Sequence, residues 1–364
     1  MTLSPAERLA WMRLARADTV GPVVFSRLIE RFGSAAKALQ RLPDLAARGG
    51  STRAPRIPSE AEALAELEAG EALGARLLCA GETDFPRSLA ALDPPPPVIW
   101  ARGRPELLGR PCVAIVGARI ASAAGQSFAR TLARELGEAG YVVVSGLARG
   151  IDGAAHEGSL KTGAVAVLGG GVDDVYPPEH LGLYQRLIQD GCVVSESPIG
   201  RRAQAKDFPR RNRLISGLSE GVVVVEAELR SGSLITARLA NEQGREVFAV
   251  PGSPLDPRSR GTNDLIRQGA VLCEGIDDIL RELQGALPRR RPAPPAPSSV
   301  EVPDEEIDSL REKIAALLSP AGVSRDELVR ITGAPPAAVS GALVELSIAG
   351  RAELRPGNLA AAAQ

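Results

Sequence analysis

The 364-residue chain has few residues of several types that mark particular classes of protein. Aromatic residues make up only 3% of it although 44% is hydrophobic, so the core must be built mostly from aliphatic side chains. It contains two histidines and four cysteines, without a CxxC pair and without the spacing of a zinc site. We therefore expect neither a metal centre nor a bound cofactor.

Long apolar runs and a strong net charge are also missing. No stretch reaches the ~18 apolar residues of a membrane helix, and the first twenty residues lack the apolar core of a signal peptide. Most of the cysteines fall in or beside apolar runs, which predicts buried free thiols and a reducing, cytoplasmic location. Since the net charge is only −1, a basic site for a polyanion must be local.

Composition and periodicity divide the chain into four predicted parts. Residues 1–80 have apolar residues at helical spacing around the turn Val20-Gly21-Pro22, as in a helix-hairpin-helix or SAM-like domain, or in a small helical packing domain. Residues 81–284 form the core, and residues 285–305, rich in Pro, Ala and Arg, form a linker. Residues 306–364 predict a winged-helix-like domain.

The winged-helix pattern leaves two functions open, DNA binding and protein docking. Three helical segments are followed by a β-wing at about residues 350–360. The third segment, residues 335–349, occupies the place of a recognition helix but contains neither Arg nor Lys. This composition argues against reading of a DNA groove.

The core alternates short β-branched runs with amphipathic stretches of helical period. The runs are apolar on nearly every residue, which is typical of a parallel sheet covered by helices on both faces. We therefore predict an α/β, Rossmann-like, doubly wound and mainly parallel sheet whose functional loops follow the carboxyl ends of its strands. The predicted strands are CVAIVG, YVVVSG, AVAVLGG, CVVSE, GVVVVEA, EVFAVPG and AVLCEG.

A basic segment precedes one of these strands. It has a single acid, Asp207, and a single aromatic residue, Phe208, and Pro209 predicts a helix start. Cations are unfavourable at the positive end of a helix, so an anion held there is expected to offset them. Cations around an aromatic ring are typical of single-stranded nucleic-acid sites; the alternative is a solvated loop with Phe208 in the core. The basic residues are Arg201, Arg202, Lys206, Arg210, Arg211 and Arg213.

Four loops after predicted strands are rich in glycine and small polar residues. Their amides and cations predict phosphate binding, above all in Ser231-Gly232-Ser233, which precedes a helix. The GxGxxG pattern of a dinucleotide site is absent. The predicted DNA- or phosphate-binding residues are Gly117, Arg119, Gly146, Arg149, Gly170, Lys206, Phe208, Arg210, Arg211, Asn212, Ser231, Gly232 and Ser233.

No catalytic residue is predicted from the same loops. His156 is the only plausible base, and a packing or capping role is favoured for it. Asp173 and Asp174 suit either Mg²⁺ or a turn, and turn residues are favoured. The same ambiguity applies to Glu226 and Glu228.

Several motifs resemble the DNA-processing protein A family, also called Smf. They include VAIVGAR (113–119), SGLARGIDGAAHEGSL (145–160), AVLGGGVDDVYPPEH (166–180), FPRRNRLISGLSEGVVVVEA (208–227) and SGSLITARLA (231–240).

The resemblance implies a non-enzymatic protein that binds incoming single-stranded DNA during natural transformation and protects it. It further implies loading of RecA recombinase onto that DNA and a homodimer formed through the Rossmann-like domain. Arg119 corresponds to the family's DNA-contacting arginine, and the basic-aromatic patch falls on Lys206, Phe208, Arg210 and Arg211.

Two other functions stay open at this point. One is a nucleotide enzyme of phosphoribohydrolase type, whose PGGxGTxxE loop and glutamate would fall on SGSLITARL, which has no glutamate. The other is transcriptional regulation through residues 306–356 alone.

Overall fold

Three structural parts follow one another along the chain in the computed structural model, which describes residues 3–285, 304–355 and 357–363. They are a helical N-terminal part, a nine-stranded sheet covered by helices, and a small C-terminal part of three helices and three strands. This architecture confirms the predicted fold class. Apart from its ends, the predicted linker at 285–305 lies outside the described residues.

The N-terminal part is built from four helices that pack on the core. Gly21 is the N-cap of the second helix and Pro22 its first residue, so the predicted turn separates two helices. Trp11 contacts Phe25 edge-on at 5.0 Å and donates a hydrogen bond of 2.8 Å to the Pro97 carbonyl of the core. The helices are α1 (Pro5–Ala15), α2 (Pro22–Phe32), α3 (Ala35–Arg48) and α4 (Glu60–Ala72).

The central sheet has the order β1-β2-β6-β5-β4-β3-β7-β8-β9. Its strands are β1 (Ala75–Cys79), β2 (Val98–Gly103), β3 (Cys112–Gly117), β4 (Val142–Ser145), β5 (Ala164–Val167), β6 (Cys192–Ser195), β7 (Gly221–Val225), β8 (Glu246–Ala249) and β9 (Val271–Leu272). In this order, every neighbouring pair from β6 through β5, β4, β3, β7 and β8 to β9 is parallel, whereas β1 and β2 form an antiparallel edge. The seven parallel strands coincide with the seven predicted runs.

Helices cover both faces of this sheet and bury it. Val143, Val165 and Val223 are fully buried, as expected for strands that are apolar on nearly every residue. The core helices are α5 (Arg87–Ala90), α6 (Ala123–Glu138), α7 (Ile151–Ser159), α8 (Leu181–Asp190), α9 (Asp207–Leu218), α10 (Gly232–Glu242), α11 (Arg260–Arg267) and α12 (Ile276–Gly285).

The strand order places a topological switch point between β3 and β7. From β3 the chain moves to β4, β5 and β6 on one side, and later to β7, β8 and β9 on the other. The loops that leave the carboxyl ends of β3 and β7 therefore diverge and leave a crevice between them, where ligands of such sheets bind.

The C-terminal part has the predicted winged-helix arrangement. Its elements are α13 (Asp304–Leu317), β10 (Val323–Ser324), α14 (Arg325–Thr332), α15 (Pro336–Ile348), β11 (Ala352–Arg355) and β12 (Leu359–Ala362). The strands form one antiparallel sheet in the order β10-β12-β11. The described residues of α15 thus stand in the place of a recognition helix.

The helix α15 is buried on two sides. Ala338, Ala342 and Leu346 belong to the core of its own domain, whereas Val344 and Ile348 join the core of the N-terminal helices. Hydrogen bonds cross the same contact: Thr19 Oγ1 donates to the Ile348 carbonyl (3.0 Å), and Arg351 Nη1 donates to the Gly49 carbonyl (3.3 Å). The face that would read DNA is therefore docked on α2 and α3.

Replacing Gly49 by Leu is expected to release the winged-helix domain. A Cβ at Gly49 would lie 2.1 Å from the Glu345 carbonyl oxygen and 2.6 Å from Ala349 Cβ, so the side chain cannot fit in the docked state. Small-angle scattering should show a larger radius of gyration for this variant. Gly109→Leu, where a Cβ would meet nothing within 4 Å, is the control, and an unchanged radius for Gly49→Leu would contradict the docking.

No single helix of the described ranges is both long and apolar enough to cross a bilayer. Within the same ranges, α14 and α15 reach that length and apolar composition only when they are taken together, and the pair is bent by 115° at the break between the two helices.

Candidate nucleic-acid interface

A cleft of about 820 Å³ occupies the crevice at the switch point. The loop after β3 forms one wall, the loop after β7 and the start of α10 form the other, and the first turns of α9 complete the lining. The predicted site residues that line it are Gly117, Arg119, Phe208, Arg211, Asn212, Ser231, Gly232 and Ser233.

Arg211 is part of the protein's interior rather than a surface cation. Its side chain is buried, and Nη1 donates hydrogen bonds to the carbonyls of Gly146 (2.9 Å) and Val167. These carbonyls lie at the ends of β4 and β5, so Arg211 fastens α9 to the edge of the sheet. Burial lowers the pKa of Arg211 to about 10, and the guanidinium stays charged at neutral pH.

Asp152 is the buried acid near this arginine. Its Oδ2 accepts hydrogen bonds from the amides of Gly146 (3.1 Å) and Ala148 (3.4 Å). Burial raises the pKa of the Asp152 carboxyl, and the charge of Arg211 and the two amides oppose that rise. Arg211 and Asp152 both line the cleft, and their hydrogen bonds hold the ends of β4 and β5 beneath it.

Phe208 lies at the mouth of the cleft, partly exposed and surrounded by other side chains. The guanidinium carbon of Arg119 is 5.4 Å from the ring centroid, and that of Arg211 is 6.0 Å away, both within cation–π range. The ring of Tyr176 lies against it with the centroids 5.6 Å apart. Phe208 is therefore neither a core residue nor an isolated surface ring.

The start of α10 forms the opposite wall. Ser231 is its N-cap, and its Oγ accepts a hydrogen bond from the Ser233 amide (3.4 Å) and lies 2.7 Å from Ser233 Oγ. Asn212 Nδ2 reaches across from α9 to the Gly232 carbonyl (3.4 Å). Hydroxyls at the positive end of an 11-residue helix suit an anion such as a phosphate.

The basic segment is divided between internal and exposed cations. Arg201 binds the buried Asp207 (2.8 Å), and Arg213 binds Glu196 (2.5 Å). Arg149, in another loop, pairs with Glu179. Three cations of the basic segment are exposed: Arg202 in the loop before α9, Lys206 at its N-cap and Arg210 on its first turn. Because α9 begins at Asp207, Pro209 falls in its first turn, where the sequence predicts a helix start.

Arg210 and the cleft lie on different sides of α9. Arg210 lines a second groove of about 260 Å³ that α9 shares with the N-terminal helices. Lys206 is the N-cap of α9, next to its first turn. The exposed cations therefore extend from the cleft over the start of α9.

Three predicted glycines lie where the fold leaves no room for a side chain. A Cβ at Gly117 would lie 1.9 Å from the Val225 carbonyl oxygen, one at Gly146 would lie 2.6 Å from Arg211 Nη2, and one at Gly170 would lie 2.1 Å from an Asp174 oxygen. Gly146 and Gly170 are buried and do not line the cleft.

The acids considered for a metal bind backbone groups instead. Asp173 accepts from the Gly200 amide (3.0 Å), Asp174 from the Ala203 amide (2.7 Å), and Glu226 from the Ser122 amide (2.8 Å). Among the residues that the structure describes, no group of three potential metal ligands occurs. His156 is fully buried, and burial lowers its pKa to about 3, so its imidazole stays neutral.

Several residues that line the cleft were not predicted as site residues, among them Ile120, Tyr176, Arg230 and Arg258. Ile120 and Arg230 lie in the loops after β3 and β7, next to Arg119 and Ser231, so the rule that placed those two residues in the site applied to them as well. Tyr176 lies nine residues beyond β5, and only the folding of its loop brings it to Phe208.

Fold and cleft together define a Rossmann-like protein whose core is flanked by an N-terminal helical domain and a C-terminal winged-helix domain. Its crevice at the switch point is lined by cations, aromatic rings and a helix start. The chain belongs to the family of DNA recombination-mediator protein A, whose model matches residues 76–284. Models described as a DprA-like N-terminal HHH domain and a DprA winged helix domain match residues 5–69 and 290–358.

Relatives match over much of the chain. Protein Smf of Synechocystis is 30% identical over 98% of both chains, and Protein Smf of Escherichia coli is 40% identical over 78% of this chain and 76% of its own. A solved structure of DNA processing protein A from Streptococcus pneumoniae has a TM-score of 0.64 at 31% identity, covering 78% of this chain and 99% of that one.

A second solved structure is described by its single-stranded DNA binding mode. It is DNA processing protein A from Helicobacter pylori, with a TM-score of 0.53 at 32% identity, covering 58% of this chain and 96% of that one.

Proposed function

We propose that this protein is a cytoplasmic, non-enzymatic recombination mediator that binds single-stranded DNA at the cleft and helps to load RecA onto it. The observation that carries the proposal is the arrangement at the switch point: cations, two aromatic rings and an uncharged helix start surround one crevice. Cations hold the sugar-phosphate backbone, and rings stack unpaired bases, which is the general design of single-strand sites.

Four exposed cations are available to phosphates in this arrangement. Arg119 and Arg230 are at the rim of the cleft, and Lys206 and Arg210 are on the start of α9. The remaining cations of the basic segment that bind internal partners hold the loops in place. The family membership and the Helicobacter pylori relative's described binding mode support DNA as the source of those phosphates.

Binding of a labelled single-stranded oligonucleotide is expected to weaken with salt in proportion to these four cations. At roughly −0.7 per neutralised phosphate, log K should fall with a slope of about −3 against log salt. Fluorescence anisotropy over about 50–200 mM salt measures this slope. Arg119→Ala and Arg230→Ala should each reduce its magnitude by about 0.7.

Arg238→Ala is the matched control for those variants. Arg238 is an exposed arginine on the same helix α10, 70% accessible, and it does not line the cleft. Its removal should change neither affinity nor slope. Binding of duplex as tight as that of single strand, with no dependence on salt, would contradict the proposed function.

Two partners belong to the same proposal. Self-association through the Rossmann-like domain is supported by the edge strand β9, whose Leu272 is 42% exposed. Two copies on one strand of DNA would bind with higher avidity than one. RecA loading is supported by the family membership, and we assign no residue of this chain to that contact.

A further inference from the structure

The ring that sequence analysis favours for base stacking already has several neighbours. Phe208 lies between the guanidinium groups of Arg119 and Arg211, at 5.4 and 6.0 Å, and the tilted ring of Tyr176 at 5.6 Å. It also closely approaches Gly169, where an added Cβ would lie 3.4 Å from Phe208 Cδ1. A nucleobase that stacks on Phe208 would compete with these groups for the ring.

Tyr176 is the more open of the two rings. Its side chain is 47% exposed and lines the same cleft as Arg119 and Phe208. Phe208 packs against it at an interplanar angle of 43°, and the next residue, Pro177, is buried. The ring is thus held on the protein side and free on the solvent side, so little conformational entropy is lost when a base covers it.

The cations around Tyr176 are placed for the backbone that carries such a base. Arg119 lines both the cleft and a small adjoining pocket, and Tyr176 lines both as well. The start of α10 and Arg230 lie on the facing wall of the cleft. A strand that contacts these groups with its phosphates therefore passes the exposed ring with its bases.

We propose that Tyr176 is the base-stacking residue of the cleft and that Phe208 supports its ring. The occupant is an unpaired nucleobase of a single strand, since a base within a duplex offers no free face to a side chain. This inference rests on the proposed function and adds a residue that selects for strands with unpaired bases.

The test compares two single strands of equal length, oligothymidylate and an abasic sugar-phosphate strand, bound to the full chain at one salt concentration. Wild-type protein and Tyr176→Phe should both prefer the strand with bases. Tyr176→Leu should lose roughly 5- to 150-fold in affinity for oligothymidylate, the equivalent of about 1–3 kcal/mol for one stacked base. Its affinity for the abasic strand should stay within about twofold of wild type, because no phosphate contact is removed.

Ile120→Ala is the control for removal of an apolar side chain from the same cleft. Ile120 is 88% exposed and has no ring, so its loss should leave the preference for bases unchanged. Circular dichroism of Tyr176→Leu confirms that the variant is folded.

Four results would overturn the assignment. An equal loss of affinity for both strands in Tyr176→Leu would mean that Tyr176 contacts the sugar-phosphate backbone or maintains the structure of its loop. If Tyr176→Leu preferred the strand with bases as strongly as wild-type protein does, another residue would be the one that stacks on the bases. A loss in Tyr176→Phe as large as in Tyr176→Leu would assign the effect to the hydroxyl. If wild-type protein binds neither strand, the single-strand function itself fails and this assignment fails with it.

Discussion

Gly117→Ala is expected to lower the free energy of unfolding by about 4 kcal/mol or more, which is exceptional for one methyl group. The new Cβ would lie 1.9 Å from the carbonyl oxygen of Val225 and 2.7 Å from Ile151 Cγ1. Gly117 pairs with Val225 in the parallel ladder of β3 and β7, so the obstructing atom is backbone of the adjacent central strand and cannot rotate away. Urea denaturation followed by circular dichroism measures the loss.

Gly232→Ala is the matched change in the facing wall of the cleft. A Cβ there would meet nothing within 4 Å, and Gly232 is the first residue of α10, where alanine is favourable. This variant should keep the wild-type stability within about 0.5 kcal/mol. Comparable stabilities for the two variants would contradict the close approach of β3 and β7 and, with it, the geometry of the crevice.

The two glycines show that sequence analysis can predict which residues belong to the site but not which of them the fold requires. Both were predicted as site residues because they stand in loops at strand ends. Only the structure separates Gly117, required by the strand pair, from Gly232, which is exposed at the start of a helix. The sequence does not contain the distance between two strands that lie over a hundred residues apart in the chain.

The parallel part of the sheet was predictable because its strands are continuous apolar runs. The antiparallel edge was missed for a local reason. The predicted strands begin at Cys112 and residues 1–80 were predicted as helical, yet the helix α4 ends at Ala72 and β1 begins at Ala75. Gly74, with φ 67°, marks that break, since only glycine adopts this conformation at little cost. An interior glycine of this kind was the signal available in the sequence.

The candidate site was predictable as a set of loops but not as a set of roles. The rule that strand ends meet at one edge brought Arg119, Phe208 and Ser231 together, and the structure places them in one cleft. It did not indicate that Arg211 and Arg213 bind internal partners, because those partners come from other strands and loops. Tyr176 was not predicted, because it stands nine residues beyond β5 and only the folding of its loop brings it against Phe208.

The absence of Arg and Lys from the third helix of the winged-helix domain has a structural explanation. That helix, α15, contributes Val344 and Ile348 to the core of the N-terminal helices. Because α15 is buried on two sides, cations on those sides could not reach the phosphates of DNA. In this conformation α15 packs on the N-terminal helices and does not present a face to a DNA groove, which favours a docking role for the domain. Deletion of the winged-helix domain should therefore affect single-strand binding only modestly.

Arg211→Met is expected to cost about 3–5 kcal/mol of stability and most of the single-strand binding, although Arg211 itself reaches little solvent. The change leaves the carbonyls of Gly146 and Val167 without their donor and the buried Asp152 without its nearby cation. Since Arg211 fastens α9 to β4 and β5, the first turn of α9 and the ring of Phe208 lose their position. Arg210→Met, at the exposed neighbour, should keep the stability and lose one phosphate contact.

The stability deficit of Arg211→Met should also depend on pH in a defined direction. Burial already raises the pKa of Asp152, and removal of Arg211 raises it further. A group whose pKa is higher in the folded state binds protons preferentially there, so its protonation stabilises the fold as the pH falls through that pKa. The difference from wild type should therefore shrink as the pH falls from neutral through the raised pKa of Asp152, and the added change Asp152→Asn should remove this dependence. A deficit that stays constant with pH in both backgrounds would mean that the lost carbonyl hydrogen bonds, and not the buried carboxylate, account for the destabilisation.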